Sequence, residues 1–535
     1  MSTLIIIQTM KKLIYRSVTG VAILLSMAAC TKFGDTNIDP TRSSDLDPNL
    51  QLSLVQARFS GDLEINEKLG VVMTMPLVQQ LGGIWANRCG QMYIKSLPYL
   101  SSFWEYTYHN DILNIVDAVE RTNGVEKSTN LNAVCRIMKV YMFARLTDLY
   151  GDIPYSEAGM AAYTGVTRPI YDKQEDIYAH FFSELKEAAA QLDASKDPVP
   201  GDFFYGGNVA AWEKFANSLR LRLAMRLVKR DPAKAQTEAQ AAYQDGVFDS
   251  NAAMCIMRHE NVQNDYVDIR GNGVSVGINQ HEVVPRLSAT FINQMRNSND
   301  PRLNHIARYY IDLPYRPFDR VDITEQVRAV VGITGVNPTD YIWDDWKNPF
   351  DIEVPGVGTH TVTNNEQKAQ PANFLIRNDA PFFHQTYAEV EFLLAEAALR
   401  FGTGFGDVQM HYENGVRAAL QQLSLFTGGP VFTDTEIANF IQSVPLLPGR
   451  ELEVINTQLW IALFLNGPEA YANWRRSGYP VLPSPVNGES NSTTTPRRFE
   501  YPLSEQEQNG VNYGAAVERL GGTNSWNGRV WWDVE

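Results

Sequence analysis

The stretch Leu131-Asn132-Ala133-Val134-Cys135-Arg136-Ile137-Met138-Lys139-Val140-Tyr141-Met142-Phe143-Ala144-Arg145-Leu146-Thr147-Asp148-Leu149-Tyr150-Gly151-Asp152-Ile153-Pro154 decides the fold class. Leu131, Val134, Cys135, Met138, Met142 and Leu149 recur at the spacing of one helix face, and Gly151 and Pro154 stop the helix. The pattern then repeats down the chain. Asp172 and Glu175 have capping-box spacing ahead of a stripe of Ile177, Phe181, Leu185, Ala188 and Leu192. Asn208 is placed to cap a helix with Trp212, Phe215, Leu219 and Leu223 on one face. Its last turn is expected to carry Arg226, Lys229 and Arg230, where cations favour the helix dipole. Pro232 opens a short Ala-rich helix.

Beyond Pro381 the period returns with Val390, Leu393, Leu394, Ala397 and Phe401, broken by Gly402, Gly404 and Gly406. Partner stripes follow in Val408, Tyr412, Val416, Ala419 and Leu423, then in Leu452, Ile455, Leu459 and Leu463. Gly467-Pro468 then opens a short helix with Tyr471 and Trp474. Such pairs look like tetratricopeptide-type units with irregular spacing. Between 246 and 381, Asn, Asp, Gly and Pro are scattered among short apolar runs such as Ala329-Val330-Val331-Gly332-Ile333, which predicts long loops with a few short strands. Loops this long inside a compact chain tend to be functional. The expected fold is therefore mainly α: irregular tetratricopeptide-like helix pairs at 129–245 and 386–477, and a loop-rich ligand-binding half at 246–381.

The N-terminal stretch points to export. Lys11, Lys12 and Arg16 precede the apolar run Val18–Ala29, and Ala28-Ala29 sit just before Cys30. This is a secretion signal with small residues at its cleavage point, covering residues 1–29. It looks like a lipoprotein signal in which Cys30 is lipidated. The run is too short for a transmembrane helix, which needs about 20 apolar residues. Residues 30–48 read as a flexible polar tether, and 49–535 as a single domain.

With 46 Lys and Arg against 61 Asp and Glu, the formal net charge is −15. An acidic chain without basic clusters argues against nucleic acid as a partner. It also assigns membrane attachment to the lipid rather than to charge. Cys89, Cys135 and Cys255 have no close pairing, which argues against a disulfide framework and for small buried residues. Ten Trp, 24 Tyr and 24 Phe suit stacking surfaces for sugars or peptides as well as a large core.

Motifs for bond-making chemistry are weak. Gly273-Val274-Ser275-Val276-Gly277 has nucleophile-elbow spacing but lacks the flanking strand and helix pattern, and reads as a Gly-rich loop. Ser183-Glu184-Leu185-Lys186 lies on a solvated helix face. The histidines are not at ligand spacing, so no metal site is expected, and no cofactor fingerprint is present. Trp474-Arg475-Arg476 reads as a half-buried helix end whose arginines pair with carboxylates of the preceding helix. The expectation is a binding protein, not an enzyme, with no catalytic residues.

Several segments together resemble the SusD/RagB family of Bacteroidetes nutrient-binding outer-membrane lipoproteins. They are Asp35–Pro40, Tyr150-Gly151-Asp152-Ile153-Pro154-Tyr155, Tyr387-Ala388-Glu389-Val390 with Leu394-Ala395-Glu396-Ala397, Gln458–Phe464, Asn473–Pro480, Arg497–Pro502 and Trp531-Trp532-Asp533. They occur in order along nearly the whole chain, and their C-terminal form looks like the SusD-like branch. The resemblance implies four tetratricopeptide-like pairs and a loop-rich ligand half. It also implies lipid anchoring on the outer face of the outer membrane and a SusC-like TonB-dependent barrel as partner. The role would be capture of oligosaccharide, with peptide as the alternative ligand and an exported hydrolase as the lesser reading. Ligand residues do not carry over, so candidates come from chemistry: exposed rings beside hydrogen-bonding groups. Two clusters qualify: Trp85, Asn87, Arg88 and Tyr93, and Tyr341, Trp343, Asp344 and Trp346.

Overall fold

The computed structural model describes residues 46–265, 267–280, 284–311, 320–340 and 347–535. The chain divides into Met1–Asp47 and Pro48–Glu535. The expected signal, Cys30 and most of the tether lie outside the described residues. Among those described, no helix is long and apolar enough to cross a membrane.

Pro48–Glu535 is built mainly from antiparallel helix pairs. They are α1 (Pro48–Gly61) with α2 (Leu113–Thr122), α3 (Thr129–Tyr150) with α4 (Gln174–Gln191), and α5 (Val209–Arg226) with α6 (Pro232–Asp245). Then come α7 (Tyr387–Phe401) with α8 (Val408–Gln421), and α9 (Glu451–Ala462) with α10 (Gly467–Ser477). The start signals act as read at several ends. Asn208 Oδ1 accepts the Ala211 N–H, Asp407 accepts from Met410, and Asp231 caps α6 with Pro232 in its first turn. Gly402 ends α7 at a φ of 75°, which a side chain tolerates poorly.

Other expectations need correction. The N-cap of α4 is Lys173, and the Gln174 N–H donates to Asp152 Oδ1 at 2.9 Å. Asp172 instead accepts from the N–H groups of Tyr155 and Ser156, so its carboxylate holds a turn rather than a helix start. Helix α3 is buried nearly all round, Val140, Tyr141, Phe143 and Leu146 included, because it sits among the other helices rather than over one face of a core. Arg226 ends α5 inside the protein, not at a solvated dipole end.

Its neighbours are ionic. Arg222 grips Glu389 of α7 at 2.6 and 2.7 Å, while Arg226 reaches Glu469 of α10 at 2.5 Å and Asp148 of α3 at 3.2 Å. The Trp532 indole N–H donates to Asp148 at 2.8 Å. Arg476 is buried too, but its carboxylate is Glu396 of α7, at 2.7 and 2.8 Å; the preceding helix α9 supplies only the Asn456 carboxamide oxygen, at 3.0 Å. Burial raises the Glu396 pKa, yet Arg476 and Arg400 outweigh it and hold the carboxyl at about 2. Arg475 pairs with no carboxylate among the described residues: it donates to the Arg497 carbonyl and lies over the Tyr471 and Trp532 rings. A buried ion pair costs desolvation, but removing one partner from it costs about 3–5 kcal/mol. The pairs thus lock α3, α5, α7 and α10 in one arrangement.

The region 246–381 is less helical and carries short strands. Antiparallel pairs join Leu81–Gly82 to Arg286–Leu287, Cys255–Met257 to Phe382–Gln385, and Ala307–Arg308 to Gln370–Pro371; Phe350–Val354 and Gly358–Val362 form a hairpin. Among the described residues, four runs of this region are helices rather than the expected loops: Gly273–Asn279, Ala289–Asn297, Leu303–Ile306 and Thr324–Val331. Gly273–Asn279 is capped by Asn272, whose Oδ1 accepts from Val274 and Ser275, and Ser275 is buried in it. Thr324–Val331 is also helical, since short apolar runs do not separate strand from helix. Cys89, Cys135 and Cys255 are buried free thiols.

Candidate functional site

The first aromatic cluster lies in the turn after strand Leu81–Gly82. Gly82 is needed there, because a Cβ would stand 2.4 Å from Gln91 Oε1. That oxygen accepts the Gly83 N–H at 2.8 Å. The Gln91 amide donates to the carbonyls of Asn337 (3.0 Å), Pro338 (3.2 Å) and Asp340 (2.6 Å). One glutamine therefore closes its own turn and ties it to a segment about 250 positions away in the chain. Ile84, Ala86 and Val336 pack together beneath the junction.

Within this frame the four residues of the cluster separate. Asn87 is fully buried and donates to the Val71 carbonyl at 2.7 Å, which pins the turn to the core. Tyr93 is 2% exposed; its hydroxyl meets Thr495 Oγ1 at 2.7 Å, and burial pushes its pKa up to about 12. Both side chains are anchors facing inward. Trp85, by contrast, is 58% exposed. The Arg88 guanidinium lies 3.3 Å from the centre of its ring and donates to Glu489 at 2.9 Å. The arginine thus braces the indole in one orientation, by cation–π contact.

A third segment completes the platform. Ser490 Oγ donates to the Met92 carbonyl (2.7 Å), the Asn491 N–H to the Tyr93 carbonyl (2.9 Å), and Asn491 Oδ1 accepts the Lys95 N–H (2.7 Å). Asn337, Asp340, Glu489 and Asn491 are exposed, on the segments that Gln91, Arg88 and Lys95 tie to this turn. An accessible, oriented indole with carboxamides and carboxylates on the joined segments suits a sugar, whose C–H face stacks while its hydroxyls hydrogen-bond. Tyr341, Trp343, Asp344 and Trp346 lie outside the described residues; the chain enters that segment at Asp340, held by Gln91.

Sequence reasoning did not pick out Gln91, Asn337, Glu489 or Asn491. The stretch Pro485–Ser492, rich in Asn, Gly and Ser, carries a loop signal, but nothing local ties it to residue 88. Among the described residues no group of three or more His, Cys, Asp or Glu is placed to hold a metal ion.

Comparison with known proteins fits this geometry. The SusD-like family, described as starch-binding and associating with the outer membrane, matches residues 79–502. A solved structure of a chitin-binding protein is 36% identical, with a TM-score of 0.79, covering 91% of this chain and 100% of its own. A SusD-like structure from Bacteroidetes AC2a is 34% identical, with a TM-score of 0.84, covering 92% and 100%. A chitin-binding SusD homolog from Flavobacterium johnsoniae is 26% identical, with a TM-score of 0.70, covering 91% and 99%. No curated protein matches the chain.

Proposed function

The chain belongs to the SusD-like family, and from that premise we propose that it captures oligosaccharide at the cell surface and delivers it to a TonB-dependent outer-membrane barrel. It is a carbohydrate-binding protein associated with the outer membrane, not an enzyme. Cys30 carries the lipid that anchors it, residues 30–48 are the tether as read from the sequence, and the binding domain faces the exterior.

One observation carries the ligand side of this reading: the exposed Trp85 indole, braced by Arg88, on a turn joined to segments that expose Asn337, Asp340, Glu489 and Asn491. Its frame is fixed by buried Asn87, Tyr93 and Gln91, so the ring is pre-oriented and little ordering entropy is lost on binding. By their chemistry alone, Tyr341, Trp343 and Trp346 are further candidate stacking rings and Asp344 a candidate hydrogen-bonding partner. Chitin oligosaccharides are the first ligands to test, because two of the similar structures are chitin-binding proteins.

The test is a calorimetric titration with chitohexaose, maltohexaose, cellohexaose and a set of unrelated hexapeptides. Binding of at least one hexasaccharide, with peptides inert, is the expected result. Binding of peptides alone would overturn the carbohydrate assignment.

A further inference from the structure

The C-terminal segment that borders the Trp85 platform ends at a second concavity. After Asn491 the chain passes Phe499, whose N–H donates to the Leu149 carbonyl at 2.8 Å. Residues 529–535 then form one wall of a cleft of about 610 Å³. The opposite wall is the corner Gly151-Asp152 with the first residues of α4, and Arg230 closes one end. A volume of this order is usual for small-molecule sites.

Most charged groups in the cleft are spent on holding its walls. Arg519 donates to Asp152 at 2.5 Å and to the Tyr171 carbonyl at 2.9 Å. Arg529 pairs with Asp533 and Glu535 at 3.0 and 2.9 Å. Gln174 is buried and donates to the Thr147 carbonyl. A few groups differ. Lys173 and Glu175 are exposed, and no described residue forms an ion pair with either. Arg230 commits Nε to the Trp531 carbonyl at 2.6 Å, and its guanidinium stands 5.7 Å from the Trp531 ring centre. Trp531 is half-buried, with its inner side against Tyr178.

We infer that this cleft is a second saccharide-binding subsite, with Trp531 as its stacking ring and Lys173, Glu175 and Arg230 as hydrogen-bonding partners for hydroxyls. The inference rests on the carbohydrate reading of the protein. The uncommitted groups offer cationic donors and an anionic acceptor. A hydroxyl both donates and accepts, so a sugar uses both kinds at once. An apolar ligand would strand those charges without partners. A strongly anionic or cationic ligand would meet a wall whose other charges are already neutralised in pairs.

The experiment titrates chitohexaose, cellohexaose and maltohexaose into the wild type, Trp85→Ala, the double variant Lys173→Ala/Glu175→Ala, and Arg230→Ala. Lys173 and Glu175 are exposed, so the double variant should keep the wild-type Tm. The expected result is two equivalents of a hexasaccharide bound by the wild type. Trp85→Ala should lose one and keep the other. The double variant and Arg230→Ala should weaken the second at least tenfold and leave the first unchanged. A single equivalent that Trp85→Ala abolishes and the cleft variants leave intact overturns the second subsite and keeps the platform. A single equivalent lost only in the cleft variants overturns the platform and keeps this subsite. No binding to any of the three sugars overturns both.

Discussion

The helix pairs and the Trp85 platform are held together by different forces, and the difference separates stability from recognition. Between the helices, long-range order is ionic: Arg222, Arg226 and Arg476 sit buried against Glu389, Glu469, Asp148 and Glu396. Around the platform it is mainly carboxamide to backbone, beside the single ion pair of Arg88 with Glu489. Gln91, Asn87 and Asn491 bind N–H and carbonyl groups that the irregular chain leaves unpaired. Ion pairs need regular elements that present both partners accurately, whereas single amides can satisfy a turn wherever it lies. The helix pairs are thereby held in one arrangement, and the platform, built from residues 81–95, 337–340 and 489–491, can present an exposed ring at small cost to the fold.

The strongest way to break this contrast is Glu389→Ala, which removes the two short bonds to buried Arg222 and leaves it only Glu469, at 3.6 Å. It should cost about 3–5 kcal/mol in urea unfolding, with saccharide affinity unchanged in the fraction that remains folded. A weaker response would place the helical half under packing control instead.

Acid should then take the two regions apart in separate pH windows. His259 belongs to the loop half; its ring faces the Arg270 carbonyl and Ser60 Oγ, and burial lowers its pKa to about 4 from 6.5. The native state takes up that proton less readily than the unfolded chain, so stability falls by about 3 kcal/mol as pH drops from 6.5 to 4. Glu396 sits at about 2 against 4.5, so its contribution is full above 4.5 and is lost as pH falls toward 2. In the difference from wild type, His259→Gln should remove a loss of stability only between pH 6.5 and 4, and Glu396→Gln one only below 4.5; Asp111, which burial raises to about 7, opposes the first loss in wild type and variant alike. A single shared transition in both variants would contradict the separation.

Gln91→Ala probes the platform frame. It frees the Gly83 N–H and removes donors from the carbonyls of Asn337, Pro338 and Asp340. A stability loss of about 1–3 kcal/mol is expected, with weaker saccharide binding because the two loops are no longer joined. Arg88→Lys should have the smallest effect. It keeps the charge beside Glu489 but loses the flat guanidinium over the indole, which corresponds to about 0.5–1 kcal/mol in saccharide affinity by calorimetry.

The helical half was readable because its apolar stripes repeat at 3.6 residues, and Asn208, Pro232 and Gly402 punctuate it as their chemistry requires. Its ionic locks were not readable. Arg222 and Glu389 are 167 positions apart, and a charged residue on a helix pattern normally signals a solvated face. In the loop half, Gly273–Gly277 looks like a loop because glycine is a poor helix former, yet the Asn272 cap and close packing override that preference. Sequence proximity grouped Trp85, Asn87, Arg88 and Tyr93 correctly in space. It did not separate the exposed ring and its brace from the two buried anchors, because all four are residue types that serve either role.

The most direct measurement is Trp85→Ala, assayed in parallel for hexasaccharide binding and for unfolding free energy. Trp85 is exposed and outside the core, so stability should stay within about 0.5 kcal/mol of wild type. Affinity at the platform should fall at least tenfold. Unchanged affinity at every binding equivalent, or a loss of binding accompanied by a comparable loss of stability, would contradict a platform whose recognition is separable from the fold.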